Sequence, residues 1–465
     1  MDYDCIIIGA GFSGLAAGVR LAHFGKKVCI CERHSKTGGL NSYYNRSSHE
    51  LETGLHAMTN FVAPDAPNSS HLLKLLRQLR IPYDTFMLRE QNYSSIRFPG
   101  KTLRFTNRFE DFEASIADAF PAEIDKFRKF NSMIKGYEDF SFSANYISAK
   151  SIIRRYIGDE RLLNMLLCPV MFYGSATEDD IDMAQFAVLF KSVFHQGLCR
   201  PAEKGVRLLL DILKDRFLNS GGELKLNCGI SRLNCADGKI ISVETDKGEK
   251  LNAANILSSA GHIETLRLCS DAPADIDKIA QGQISFVESI AVTGDCTEKP
   301  SDNQTIIYYS DSEDFKFRKP DTLIDKSSGL ICFPQNFKFK AEDNKPEFSI
   351  RISVPSNYEL WNKTPVNEYR KTKAAACSEI LRKAEELTGM KDIEKNAILT
   401  DTITPKTIYR YSGHLNGAIY GCPDKIKNGK TPFGNLFLCG TDQGLLGITG
   451  AMLSGISIAN IYLLK

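Results

Sequence analysis
A chain of 465 residues is too long for a single small binding module and points to about three units of ordinary domain size; 43% hydrophobic and 25% charged residues exclude disordered, collagen-like and coiled-coil classes. Lys+Arg 58 against Asp+Glu 56 leaves a net charge of +2, so no global field draws the chain to nucleic acid, and none is expected as a partner. The 13 cysteines are scattered without any C-x-x-C spacing, and Asp2 and Asp4 stand where an export signal carries Lys or Arg, so reduced thiols in a cytoplasmic protein are expected.

The first element already carries chemistry. Asp4 to Ile8 is an apolar run suited to a parallel strand buried on both faces. It runs into Gly9-Ala10-Gly11-Phe12-Ser13-Gly14, a small-residue helix closed by Gly25, and a second strand, Val28 to Cys31, ending at Glu32. In this strand, G-x-G-x-x-G, helix, strand, acid order, the glycines admit a pyrophosphate to the helix N-terminus. Glu32, 18 residues after Gly14, is placed to bond a ribose hydroxyl. That unit serves nicotinamide and flavin dinucleotides alike. Arg33 then leads to Gly38-Gly39-Leu40-Asn41, whose glycines offer bare amides where the second phosphate and ribityl chain of FAD would lie. Glu52-Thr53-Gly54-Leu55-His56 closes a second strand and turn.

Between residues 71 and 108, Lys74, Arg77, Arg80, Arg89, Arg97, Lys101, Arg104 and Arg108 face only Asp84 and Glu90. The stretch reads as a solvated face, or as a contact surface for a membrane or an acyl carrier. Phe140, Phe142, Tyr146, Phe172, Tyr173, Phe186, Phe190 and Phe194 suit either an ordinary core or an apolar tunnel. Further on, an amphipathic helix (Val206, Leu209, Leu210, Leu213, Phe217) ends at Gly221-Gly222, and an Asp237-Gly238 hairpin joins strands from Ile230 and Ile240. Strand-like runs follow at Ile284 to Thr293, Thr305 to Tyr309, Leu330 to Phe333 and Phe348 to Val354. Near the end, Leu436 to Cys439 leads into Gly440-Thr441-Asp442, and Gly447-Ile448-Thr449-Gly450-Ala451 opens a last helix whose positive end suits a reduced flavin. The charge-free run Gln443 to Leu464 is expected to be a buried helix, not a membrane span.

The segments Glu32-Arg33-His34, Gly38-Gly39, Thr53 to His56, Thr404 to Thr407, Tyr411-Ser412-Gly413, Gly417 to Gly421, Gly440-Thr441-Asp442 and Gly447 to Ala451 together resemble the phytoene desaturase superfamily of flavoproteins, nearest to its carotenoid isomerase and retinol saturase branch. Departures include a single glycine in Pro201-Ala202-Glu203-Lys204-Gly205 and a glutamate, Glu52, where an aspartate is usual one residue nearer Gly54. The resemblance implies an α/β architecture: a Rossmann-like FAD-binding domain with an inserted α+β substrate domain. The first would comprise 1–62, 195–268 and 408–465, and the second 63–194 and 269–407. It further implies carbon–carbon redox chemistry or isomerisation on a long apolar polyene, with Ile230 beside the adenine, His56 beside the isoalloxazine and Tyr411 towards the substrate. His56 and Tyr411 are the expected catalytic residues. Cofactor contacts are expected from Gly9, Gly11, Phe12, Ser13, Gly14, Glu32, Arg33, Gly38, Gly39, Leu40, Asn41, Gly54, Leu55, His56, Ile230, Gly440, Asp442, Ile448, Thr449, Gly450 and Ala451, and no metal is expected. An amine oxidase and a non-catalytic prenyl-binding chaperone of the Rab escort type are the alternatives. Because apolar polyenes reside in membranes or on carriers, peripheral membrane association is a further expectation.

Overall fold
The computed structural model describes residues 2–63, 70–137, 145–293, 302–343 and 347–465. The strands Tyr3–Ile8 (β1) and Val28–Cys31 (β2) flank the helix Phe12–Ala22 (α1). A five-stranded sheet has the order Glu223–Lys225, β2, β1, Ala253–Ser258, Leu436–Leu438, with every pairing parallel. All its strands come from 1–62, 195–268 and 408–465.

β1 reads as an unbroken apolar run because each of its faces meets a different core. Cys5 and Ile7 pack on the side of α1 and the helices Gly205–Asn219 and Gly447–Ile458. Ile6 and Ile8 pack against Leu233, Ile240 and Val243 of an antiparallel hairpin. That hairpin turns at Asp237 and Gly238, both with positive φ, as a two-residue turn between right-twisted strands requires. The C-terminal helix lies so close on α1 that a Cβ at Gly455 would strike the Ser13 carbonyl, which explains a glycine within an apolar helix. With 12 residues it is a buried layer, and among the described residues no helix is long and apolar enough to cross a membrane.

A second sheet of seven strands has the order Ala397–Ile403, Ser285–Thr293, Ser349–Ser356, Ser328–Cys332, Ile306–Ser310, Ser94–Phe98, Lys101–Phe105. On one face it carries aromatic helices from residues 109–195, on the other the helix Val366–Thr388. Across it, Glu288, Ser353, Leu330 and Tyr308 stand opposite one another in register, forming one cross-strand row.

The first insertion, 63–194, gives this sheet two strands, at 94–98 and 101–105, where the sequence marks no strand-like run. Ser94–Phe98 pairs in parallel with Ile306–Ser310, more than 200 residues away, and local periodicity cannot report such a pairing. The basic stretch is likewise not one open face. Arg89 pairs with Asp343 at 2.7 Å, Arg97 donates to the Leu387 carbonyl at 2.7 Å, and Lys101 donates to the Ala119 carbonyl at 2.6 Å.

Candidate functional site
A cavity of about 530 Å³ runs from the glycine-rich loop after β1 to the seven-stranded sheet. Gly9, Gly11, Phe12, Ser13, Glu32, Arg33, Gly38, Gly39, Leu40, Asn41, Gly54, Leu55, His56, Ile230, Gly440, Ile448 and Ala451 all line it, so the structure gathers these predicted positions around one space.

The loop end is built for a dinucleotide. Gly11 caps α1 without any side-chain acceptor, so the first amides of the helix remain available to a pyrophosphate. A Cβ at Gly11 would have only the Gly38 carbonyl nearby, at 3.8 Å, which leaves room for close approach. Gly38 is fastened to this loop by its amide, which donates to the Ala10 carbonyl at 2.9 Å, and φ is +126° there and +60° at Gly39. The Glu32 carboxylate accepts the amides of Ala10 and His34, each at 2.8 Å, which fixes it at the cavity wall. At the other end the helix Gly447–Ile458 also starts without a side-chain cap, and its amides point a positive dipole end at the cavity. These two uncapped helix starts and the fixed acid fit FAD.

His56 sits where the cavity meets the seven-stranded sheet. Its Nε2 lies 3.1 Å from Ser353 Oγ and 3.2 Å from Glu288 Oε1. Glu288 also accepts from Arg351 Nη2 at 2.7 Å and Nε at 2.8 Å. Burial by itself would raise the Glu288 carboxyl, but the Arg351 guanidinium and the His56 ring outweigh it and hold the group at about 2, fully ionised at neutral pH. Arg351 donates to the Leu55 and Glu52 carbonyls, both at 3.0 Å, and faces the Glu52 carboxylate, which Arg200 also contacts. The other oxygen of Glu52 accepts the Val206 amide at the start of the helix Gly205–Asn219. The segment 52–56 is thus held by two buried guanidiniums, and Gly54, with φ +72°, makes the turn where a Cβ would press on Asn41 and Leu40.

A model of flavin-containing amine oxidoreductases matches residues 12–461. The chain belongs to this family. Within the flavin-containing amine oxidoreductases it falls in the phytoene desaturase-like superfamily of FAD oxidoreductases, and its cofactor is FAD. Prolycopene isomerase 1, chloroplastic, of an Oncidium hybrid cultivar is 23% identical over 92% of this chain and 77% of its own. The all-trans-retinol 13,14-reductase of Danio rerio is 21% identical over 99% of this chain and 86% of its own. The crystal structure of an oxidoreductase from Methanosarcina mazei shares the fold with a TM-score of 0.67 at 15% identity, covering 98% and 99% of the two chains.

Several predicted positions serve this flavin-containing fold from behind the cavity wall. Asp442 is buried, and its carboxylate accepts the amides of His262 at 2.5 Å and Cys422 at 2.6 Å, so its side chain brackets two loops behind the cavity wall. Gly14 admits the Gly9 carbonyl, Gly450 packs against the Leu445 backbone, and Thr449 lies under the Thr59 carbonyl; none of the three lines the cavity. Tyr411 does line it, but half-exposed and edge-on to His34 at 5.3 Å, beside Glu32. That places it at the ribose end, not beside His56, because the Arg33 guanidinium holds the helix end there through the Arg410 carbonyl at 2.9 Å.

The aromatic tunnel is also redrawn. Of the eight aromatics named from the sequence, Phe172 and Tyr173 line the cavity; Phe186, Phe190 and Phe194 stack in the helical core, Tyr146 is exposed, and Phe140 and Phe142 lie outside the described residues. Phe286, Tyr308, Leu330, Ile419, Tyr420, Leu445 and Leu446 complete the apolar wall. Sequence reasoning missed Glu288, Ser353, Arg351 and Arg200. The available signal was a single acid and a single guanidinium inside otherwise apolar strands, an arrangement that buried charges adopt only when paired.

Proposed function
We propose that the protein is an FAD-dependent enzyme acting on carbon–carbon bonds of a long apolar unsaturated chain, by desaturation, saturation or isomerisation. The observation that carries this reading is the apolar end of the cavity: from His56 onward the wall is aromatic and aliphatic, contributed by both insertions, and suits an extended hydrocarbon. Bound FAD supplies hydride transfer to or from carbon. The protein's own residues position, exclude water and manage protons. Glu288, ionised and 3.2 Å from His56 Nε2, orients the ring by accepting a hydrogen bond from that nitrogen. His56, held there, is the residue proposed to take up or deliver a proton beside the reacting carbons. The names of the carotenoid and retinol relatives support the same substrate class.

The test is anaerobic incubation of the flavin-loaded protein with candidate polyenes, followed by mass and chromatographic analysis. A gain or loss of two hydrogens, or a changed double-bond geometry, supports the proposal. Flavin reduction by amines, with peroxide released in air and no change in any polyene, would select the amine oxidase chemistry that the family name carries. A protein that fails to hold FAD would return the chaperone alternative.

A further inference from the structure
The helix Pro405–Ser412 forms part of the cavity wall with little to hold it down. Ile408, Tyr409, Tyr411 and Ser412 line the cavity, and Tyr409, Arg410 and Tyr411 are also exposed, so a single helix separates this part of the cavity from solvent. Of its eight residues only Pro405 is buried. An element with so little apolar burial opens locally at small cost.

Its two ends are fastened differently. The first turn is closed by a capping box between Thr404 and Thr407, and the Thr404 hydroxyl lies 2.7 Å from the Tyr369 hydroxyl of the helix Val366–Thr388. The last turn relies on the end of β2. Arg33 Nη2 donates to the Tyr409 and Arg410 carbonyls, at 3.3 and 2.9 Å, in the turn where a helix leaves acceptors over, and the Tyr411 ring meets His34 edge-on. Gly413 ends the helix at φ +81°, and a Cβ there would stand 2.7 Å from Arg33 Nη1, so this glycine also makes room for the guanidinium. The arginine that follows the dinucleotide acid thus spends two charge-assisted bonds on a surface helix.

We propose that this helix is a strap over the dinucleotide end of the cavity and that Arg33 is its latch, a positioning residue that holds the strap shut and so sets how fast FAD enters and leaves. The inference rests on the cofactor assignment and is independent of the substrate reading. Opening breaks the two guanidinium bonds and the contact between His34 and Tyr411. The capping box before the helix, and after it the Leu415 amide donating to Glu264 Oε1 at 2.8 Å, keep both flanks in place. A latch governs one barrier that entry and exit share, whereas a side chain that only contacts the cofactor slows exit alone.

The experiment compares flavin-loaded wild type with Arg33→Ala and with Gly413→Ala, which displaces the guanidinium without removing it. FAD release is followed by exchange against excess 8-chloro-FAD, uptake by flavin fluorescence on the full chain stripped of flavin, and strap opening by trypsin cleavage after Arg410 in the loaded protein. In both variants release and uptake are expected to quicken together by about tenfold, for the loss of a pair of exposed charge-assisted bonds, with the dissociation constant within about threefold of wild type. Cleavage after Arg410 should quicken by a similar factor, since it follows the population of the open form. Faster release with unchanged uptake, so that affinity falls in proportion, would overturn the inference by making Arg33 an ordinary cofactor contact. Wild-type rates in either variant, or cleavage after Arg410 no faster than in wild type, would also overturn it and leave the cofactor assignment standing. Failure of the wild-type chain to take up FAD would overturn the cofactor assignment, and the inference with it.

Discussion

Replacing Glu288 by glutamine tests whether the buried charge cluster holds the chain beside His56. The substitution preserves shape but leaves Arg351 with Glu52 as its remaining acidic partner and gives His56 Nε2 a neutral neighbour. Glu288 is held at about 2 in the folded protein against an ordinary 4.5. At 1.36 kcal/mol per pH unit that gap corresponds to about 3 kcal/mol of stability, in the range of about 3–5 kcal/mol for breaking a buried pair. Because the folded value lies below the unfolded one, the stabilisation is fully present above 4.5 and disappears as the pH falls toward 2. Urea unfolding of flavin-loaded wild type and Glu288→Gln should therefore differ by about 3 kcal/mol at pH 7 and by roughly half as much at pH 3. An offset that is the same at both pH values would mean that the variant disturbs packing rather than charge, and an offset below about 1 kcal/mol at pH 7 would refute the ionic account.

His56→Ala should keep FAD bound and cut turnover by roughly 10²–10⁴-fold; turnover within a few-fold of wild type would withdraw the catalytic role. Glu32→Ala should weaken FAD by about 1–3 kcal/mol in a flavin titration, since it removes both the ribose acceptor and the acceptor for the Ala10 and His34 amides. Gly14→Ala drives a Cβ into the Gly9 carbonyl, so it should cost about 1–3 kcal/mol and lower flavin occupancy, seen as a reduced melting temperature and a paler protein.

The dinucleotide end was legible because its parts are contiguous. Strand, glycine loop, helix, strand and Glu32 lie within the first 32 residues, and each glycine there answers a local demand of turn or approach that composition alone can display. The hairpin at Asp237-Gly238 was readable for the same reason: its geometry is a property of two adjacent residues. The bracket that Asp442 makes was not legible, because a carboxylate after a strand looks the same in sequence whether it faces a ligand or the amides of His262 and Cys422.

What the tertiary structure decided is everything that depends on pairing distant strands. His56 meets Glu288, Ser353 and, through Glu288, Arg351, residues more than 230 positions further along the chain, and only the register of the seven-stranded sheet puts them on one face. The same register, not the aromatic content of the helices, selected Tyr308 and Phe286 for the cavity and left Phe186, Phe190 and Phe194 in the core. Hydrophobic burial is non-directional, so sequence reports that an aromatic will be inside, whereas which interior it enters is set by the sheet against which its helix or strand is laid.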